Sequence, residues 1–142
     1  MLRRRVMGVA AAVIAVGSIV VVVPPASATN CASGKSCFWR DIGYQTGGDT
    51  SSRISFEFYI PNFGSWTYPG TSSSGANSAS SVSNEGNFER SYWYGQTSCN
   101  DFAFSLGVNT GDGDLTDSSG HAPGGWNNQL ESGAFYSYRS SC

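Results

Sequence analysis

The chain has 142 residues, of which 13% are charged, 39% hydrophobic and 13% aromatic, with 18 glycines and a formal net charge of −2. Beyond residue 28 five basic residues face ten acidic ones, a net charge of −5. Lys35, Arg40, Arg53, Arg90 and Arg139 are scattered and none adjoins another, which excludes a nucleic acid partner held by phosphate charge.

In chain order, Arg3, Arg4 and Arg5 precede an unbroken run of small and apolar residues over 6–23, and Pro24-Pro25-Ala26-Ser27-Ala28 closes on a small-x-small pattern. This is the form of a secretory signal peptide over residues 1–28, leaving a single domain over 29–142 with no membrane attachment after cleavage. The apolar run is at the threshold length for a membrane span, but the Pro-Pro break and the Ala-x-Ala site favour cleavage. The expected location is extracellular.

Four cysteines follow, Cys31, Cys37, Cys99 and Cys142, and in an exported chain an even count reads as disulfides. Three pairings are formally possible. Cys31 with Cys37 is favoured because Gly34 lets the chain turn back between them, which leaves Cys99 with Cys142 to pin the C-terminus. Zinc is the weaker reading: the cysteine spacing is too wide for a structural zinc pair, and the sole histidine, His121, sits in a Gly/Pro-rich loop.

The elements are β and loop, since no segment carries a convincing apolar period of 3.6 residues. Residues 36–40 read as a first strand, and Gly43-Tyr44-Gln45-Thr46-Gly47-Gly48 as a glycine-rich hairpin. Residues 54–60 alternate as one strand, with Ile54, Phe56, Phe58 and Ile60 on the core face. Residues 61–75 form a loop in which Phe63, Trp66 and Tyr68 either fold over the core or make a binding edge. Residues 90–96, 101–108 and 133–139 give three more strands, and short strands between Gly/Ser turns imply an all-β sandwich.

Together, Cys31-x2-Gly34-x2-Cys37, Trp39-x4-Tyr44 running into Gly47-Gly48, the Phe-rich second strand, and Asn77-x2-Ser80-Ser81-Val82-x-Asn84 resemble the secreted actinobacterial peptidase inhibitors of family I36. That family is similar to βγ-crystallins in fold, and the match covers residues 31–87. The resemblance implies a βγ-crystallin-like sandwich of two Greek-key motifs. Residues 126–132 then stand in the second half as 75–81 stand in the first. The chain departs from the pattern at Thr46, where the folded hairpin expects glycine. Residues 90–102 lack a clear aromatic hairpin signature, and 111–117 read as an insertion.

The resemblance also raises calcium, the one cofactor to weigh. A βγ-crystallin calcium motif has two Asn/Asp residues, two variable residues, Ser/Thr and Ser. The first copy keeps Asn77, Ser80 and Ser81 with Ala76 at its opening position; the second keeps Asn127, Asn128 and Ser132 with Glu131 in place of Ser/Thr. Asn and Ser here can equally satisfy the turn backbone without metal, and that plainer reading is preferred. Asp112, Asp114 and Asp117 read as a solvated loop.

No Gly-x-Ser-x-Gly, His-Glu-x-x-His or Cys-x-x-Cys motif is present, so binding is expected rather than catalysis. The implied function is inhibition of an extracellular protease, a metalloprotease before a serine protease, by a rigid loop that occupies its cleft. Two loops are candidates: Asn100, Asp101 and Phe102 beside Cys99, and Phe63, Trp66 and Tyr68. The alternative is a secreted βγ-crystallin-like structural or binding module, calcium-stabilised, antimicrobial, or stacking carbohydrate on Trp66 and Trp126.

Overall fold

A computed structural model describes residues 30–142; the expected signal peptide lies outside the described residues. Eight short strands form two four-stranded antiparallel sheets. The first half contributes β1 (Ser36–Trp39), β2 (Ile54–Phe56), β3 (Tyr59–Ile60) and β4 (Ser81–Asn84). The second contributes β5 (Ser91–Gln96), β6 (Asn100–Leu106), β7 (Thr110–Asp112) and β8 (Ser132–Phe135). The sheet orders are β2-β1-β4-β7 and β3-β8-β5-β6. Each half therefore lends its third strand to the sheet of the other, and the two Greek keys interlock.

The lending of β3 corrects the single strand expected over 54–60. The alternation holds at Ile54, Phe56 and Ile60, which are buried. At Glu57 and Phe58 the chain bends to cross between sheets, which turns Phe58 outward to 49% exposure against Tyr138. Residues 111–117 are likewise no insertion. Asp112 ends β7 opposite Val82, the place Ile60 holds opposite Gly133. Asn62 Oδ1 then accepts the Gly64 N–H (2.7 Å), and Asp114 Oδ1 accepts the Thr116 N–H (2.9 Å) in the same way. The strand expected over 133–139 ends at Phe135, and Tyr136–Tyr138 is a 3-10 turn.

Aromatic rings fill the space between the sheets. Phe38 stacks on Phe63 (4.2 Å between centroids) and meets Trp93 edge-on at 6.1 Å, while Phe56 reaches Trp93 at 5.4 Å. Edge-on and offset contacts of this kind add about 0.5–1.5 kcal/mol each beyond burial alone. Gly133 is required there, because a Cβ would stand 2.9 Å from the Phe56 ring. Strand β1 is buried on both faces: Phe38 faces the core, while Cys37 and Trp39 lie under Cys31 and Tyr44. The disulfides are Cys31–Cys37 and Cys99–Cys142. Among the described residues no helix is long and apolar enough to cross a membrane.

Candidate functional site

Two serines clamp two folded hairpins. Ser81 Oγ donates to the Asp41 carbonyl (2.8 Å) and accepts the Tyr44 N–H (3.1 Å). Ser132 Oγ donates to the Gln96 carbonyl (2.6 Å) and accepts the Cys99 N–H (3.1 Å). The paired turns Gly43-Tyr44 and Ser98-Cys99 all have positive φ, at 73°, 61°, 57° and 50°. Residues 96–99 are thus the second folded hairpin. Cys99 stands where Tyr44 stands in the first, and a covalent bond to Cys142 replaces the packing of Tyr44 edge-on against Trp39 (5.4 Å). That exchange of ring for disulfide is why residues 90–102 carry no aromatic signature. At Thr46 the first hairpin uses a buried hydroxyl that accepts the Arg40 N–H (3.2 Å), and Gly47 and Gly48 supply the positive φ of the turn.

The loop candidates separate by burial. Phe63 and Tyr68 are core residues, which corrects their candidacy as inhibitory-loop side chains and leaves the reading in which they fold over the core. Phe63 packs on Phe38, and burial raises the pKa of the Tyr68 phenol, whose hydroxyl meets Ser78 Oγ at 3.1 Å. Trp66 stays on the surface, 50% exposed in extended backbone, with its carbonyl taken by the Gly75 N–H at 2.8 Å. Trp126 packs partly buried against the core and close to Gly95. Asn100 and Asp101 are exposed at the start of β6, Asp101 with φ 58°. Phe102, three residues past Cys99, is 56% exposed.

Phe102 does not stand alone. Its ring lies 5.8 Å from Tyr92 and 6.0 Å from Tyr94, and Tyr92 lies 6.0 Å from Tyr136. The Arg139 guanidinium sits over both Tyr92 (4.5 Å) and Tyr136 (4.3 Å). These contacts join β5, β6 and the C-terminal turn into one aromatic face of the second sheet. Sequence reasoning missed Tyr92, Tyr136 and Arg139 as surface residues. The i, i+2 pair Tyr92 and Tyr94 carries a signal, but contacts among β5, β6 and the C-terminal turn decide which ring faces out.

The Asn/Ser segments meet across the interface of the two halves. The Asn77 N–H donates to the Leu130 carbonyl (3.1 Å) and the Asn128 N–H to the Ala79 carbonyl (2.9 Å), with φ of 47° and 56° at the two asparagines. Ser80 Oγ donates to Asn128 Oδ1 at 3.4 Å, whereas the Asn77 amide donates to Glu131 Oε1. Asn77, Ser80, Asn127 and Asn128 line one depression with Arg40 and Asp41. Hydrogen bonding to Arg40, then to the Gly47 N–H, holds the Asp41 carboxyl below its usual pKa. Asn127 Oδ1 is buried without a donor.

No protein-family model matches the chain, and no characterised relative is found by sequence. Among solved structures, one from work on the evolution of the eye-lens βγ-crystallin domain fold matches with TM-score 0.55 at 18% identity, covering 75% of this chain and 88% of that one. A βγ-crystallin from Ciona intestinalis matches with TM-score 0.52 at 12% identity, covering 72% and 99%. The fold is that of the βγ-crystallins. At these identities the likeness extends to the fold alone.

The Asn/Ser segments at which the sequence raised calcium differ in the oxygen donors they offer. In the first depression the unpartnered Asn127 Oδ1, Ser80 Oγ and Asn128 Oδ1 are hard oxygen donors of the kind calcium takes. The donors are mainly neutral, and the charged pair Arg40–Asp41 lines the rim. In the second copy the Glu131 carboxylate is spanned by the Asn77 amide, which closes it. Asp112, Asp114 and Asp117 do not converge: Asp112 accepts the Asp114 and Ala122 N–H groups, Asp114 that of Thr116, and Asp117 that of Ser119. Among the described residues no group of three His, Cys, Asp or Glu side chains is placed to hold a metal.

Proposed function

We propose that this chain is a secreted proteinaceous peptidase inhibitor on a βγ-crystallin scaffold, with metalloproteases as its target class. Two disulfides suit an extracellular setting, and the sequence resemblance to inhibitor family I36 supports a protease as the target. The observation that carries the reading is Phe102, an exposed ring three residues beyond a hairpin fixed by both the Ser132 clamp and Cys99–Cys142. A ring already seated against Tyr92 and Tyr94 loses little entropy on entering an apolar specificity pocket. Positive φ at Ser98, Cys99 and Asp101 keeps the adjoining backbone out of the extended form, so the ring plugs the cleft without offering a bond for hydrolysis.

The test is a panel of one thermolysin-like metalloprotease, one subtilisin-like and one trypsin-like serine protease, each titrated with the secreted, disulfide-bonded chain. Stoichiometric inhibition of the metalloprotease supports the reading, and full activity of all three enzymes refutes it. A second reading, a calcium-stabilised binding module, is favoured by the unpartnered Asn127 Oδ1. For it, the expected calorimetric result is a rise in Tm with calcium that Asn127→Ala removes; an unchanged Tm in millimolar calcium would reject it.

A further inference from the structure

A groove of about 210 Å³ lies between the bend after β2, the loop joining β4 to β5, and the C-terminal 3-10 turn. Phe58, Phe88, Phe135 and Tyr138 line it together with Glu57 and Glu89. Phe88 is 92% exposed, the most exposed of the large hydrophobic side chains described. Phe58 is braced from behind by Tyr138, 4.9 Å between centroids. Bare aromatic rings at a groove edge gain by being covered, because apolar surface is then removed from water.

Charge decides what covers them. Glu57 and Glu89 are the charged residues lining the groove, and neither forms an ion pair among the described residues, where the one such pair is Arg40–Asp41. Glu89 is held in place by the Ser137 N–H (2.9 Å) and Ser137 Oγ–H (2.7 Å), which also keep its carboxyl below the usual pKa and therefore charged. The volume falls below the roughly 300–1,000 Å³ of small-molecule sites and suits one long side chain. A guanidinium meets every requirement, since it stacks on aromatic faces, pairs with carboxylates, and rides on an apolar stem. We propose that this groove receives an arginine side chain from a partner protein. The proposal is independent of Phe102 and of protease inhibition.

The test is amide NMR of the secreted chain titrated with the terminally blocked tripeptide Ala-Arg-Ala, against the same peptide with neutral, isosteric citrulline in place of arginine. Saturable shifts confined to residues 57–58, 86–89 and 137–138 are expected with arginine and not with citrulline. Phe88→Ala and Glu89→Gln, both at the surface, are each expected to weaken binding about two- to fivefold with the remaining amide spectrum unchanged. The double variant is expected to lose it. Equal shifts with the citrulline peptide, shifts elsewhere, or none at tens of millimolar peptide would overturn the proposal, as would variants that bind like the parent.

Discussion

Asn84 ties the loop after β4 to the end of β6 and the turn that follows it. Fully buried, its Nδ2 donates toward the carbonyls of Glu89 (3.0 Å), Leu106 (3.1 Å) and Gly107 (3.0 Å), and its Oδ1 accepts the Gly86 N–H (2.8 Å). Asn84→Ala is expected to cost about 3 kcal/mol in urea unfolding, because it leaves several buried backbone groups unpaired beside a cavity. Asn84→Asp places a carboxylate against those three carbonyls. Its folded pKa is thereby raised, so the penalty is smallest in acid and grows as pH rises through that value. The parent has the opposite slope. Asp41, Asp49, Glu89 and Asp117 are all lowered by hydrogen bonds, so their contribution is present above the unfolded carboxylate pKa of about 4 and is lost as pH falls through the folded values. Urea unfolding of both proteins at pH 7 and pH 4 distinguishes the slopes; parallel pH profiles would contradict this assignment of Asn84.

The disulfides differ in reach. Cys31 and Cys37 are separated by 6 residues and Cys99 and Cys142 by 43. On chain entropy alone the shorter closure contributes about 2 kcal/mol and the longer about 4 kcal/mol. Replacing Cys99 and Cys142 together by alanine is therefore expected to destabilise the chain about twice as much as replacing Cys31 and Cys37, measured as ΔG in urea. The order reverses if the N-terminal staple over Trp39 matters more than loop length. The first hairpin was legible in the sequence because Trp39, Tyr44 and Gly47-Gly48 announce it. The second was hidden because Cys99 does the work of an aromatic. The break at Phe58 was equally hidden: alternation records which residues suit a strand face, and it cannot record that the chain changes sheets halfway. Phe63 and Tyr68, set among Gly and Pro, left open a binding edge or a fold over the core, and the gap between the sheets draws both rings inward.

At the scale of the molecule, the exchange of β3 and β7 makes each half incomplete. Without the other half, β4 lacks its pairing with β7 through Val82 and Asp112, and β8 lacks β3 at Tyr59 and Ile60. Residues 29–88 and 89–142 prepared separately are expected to show no cooperative unfolding by circular dichroism, and a cooperative transition in either fragment would contradict the interlocked account. The all-β class was legible in the Gly/Ser-punctuated strands, whereas the duplicated motif came from the resemblance, which sets 126–132 against 75–81; periodicity alone does not show it. The aromatic face was not, because Phe102, Tyr92, Tyr136 and Arg139 come together only through strand order and the C-terminal turn. The role proposed for this face, led by Phe102, is to block a metalloprotease. It is tested most directly by titrating a thermolysin-like metalloprotease with the parent chain, Phe102→Ala and Trp66→Ala, all with both disulfides formed. Stoichiometric inhibition is expected from the parent and from Trp66→Ala, with roughly thirtyfold weaker inhibition by Phe102→Ala, as for an interface hot spot. No inhibition by the parent, or inhibition by Phe102→Ala equal to that of the parent, would contradict it.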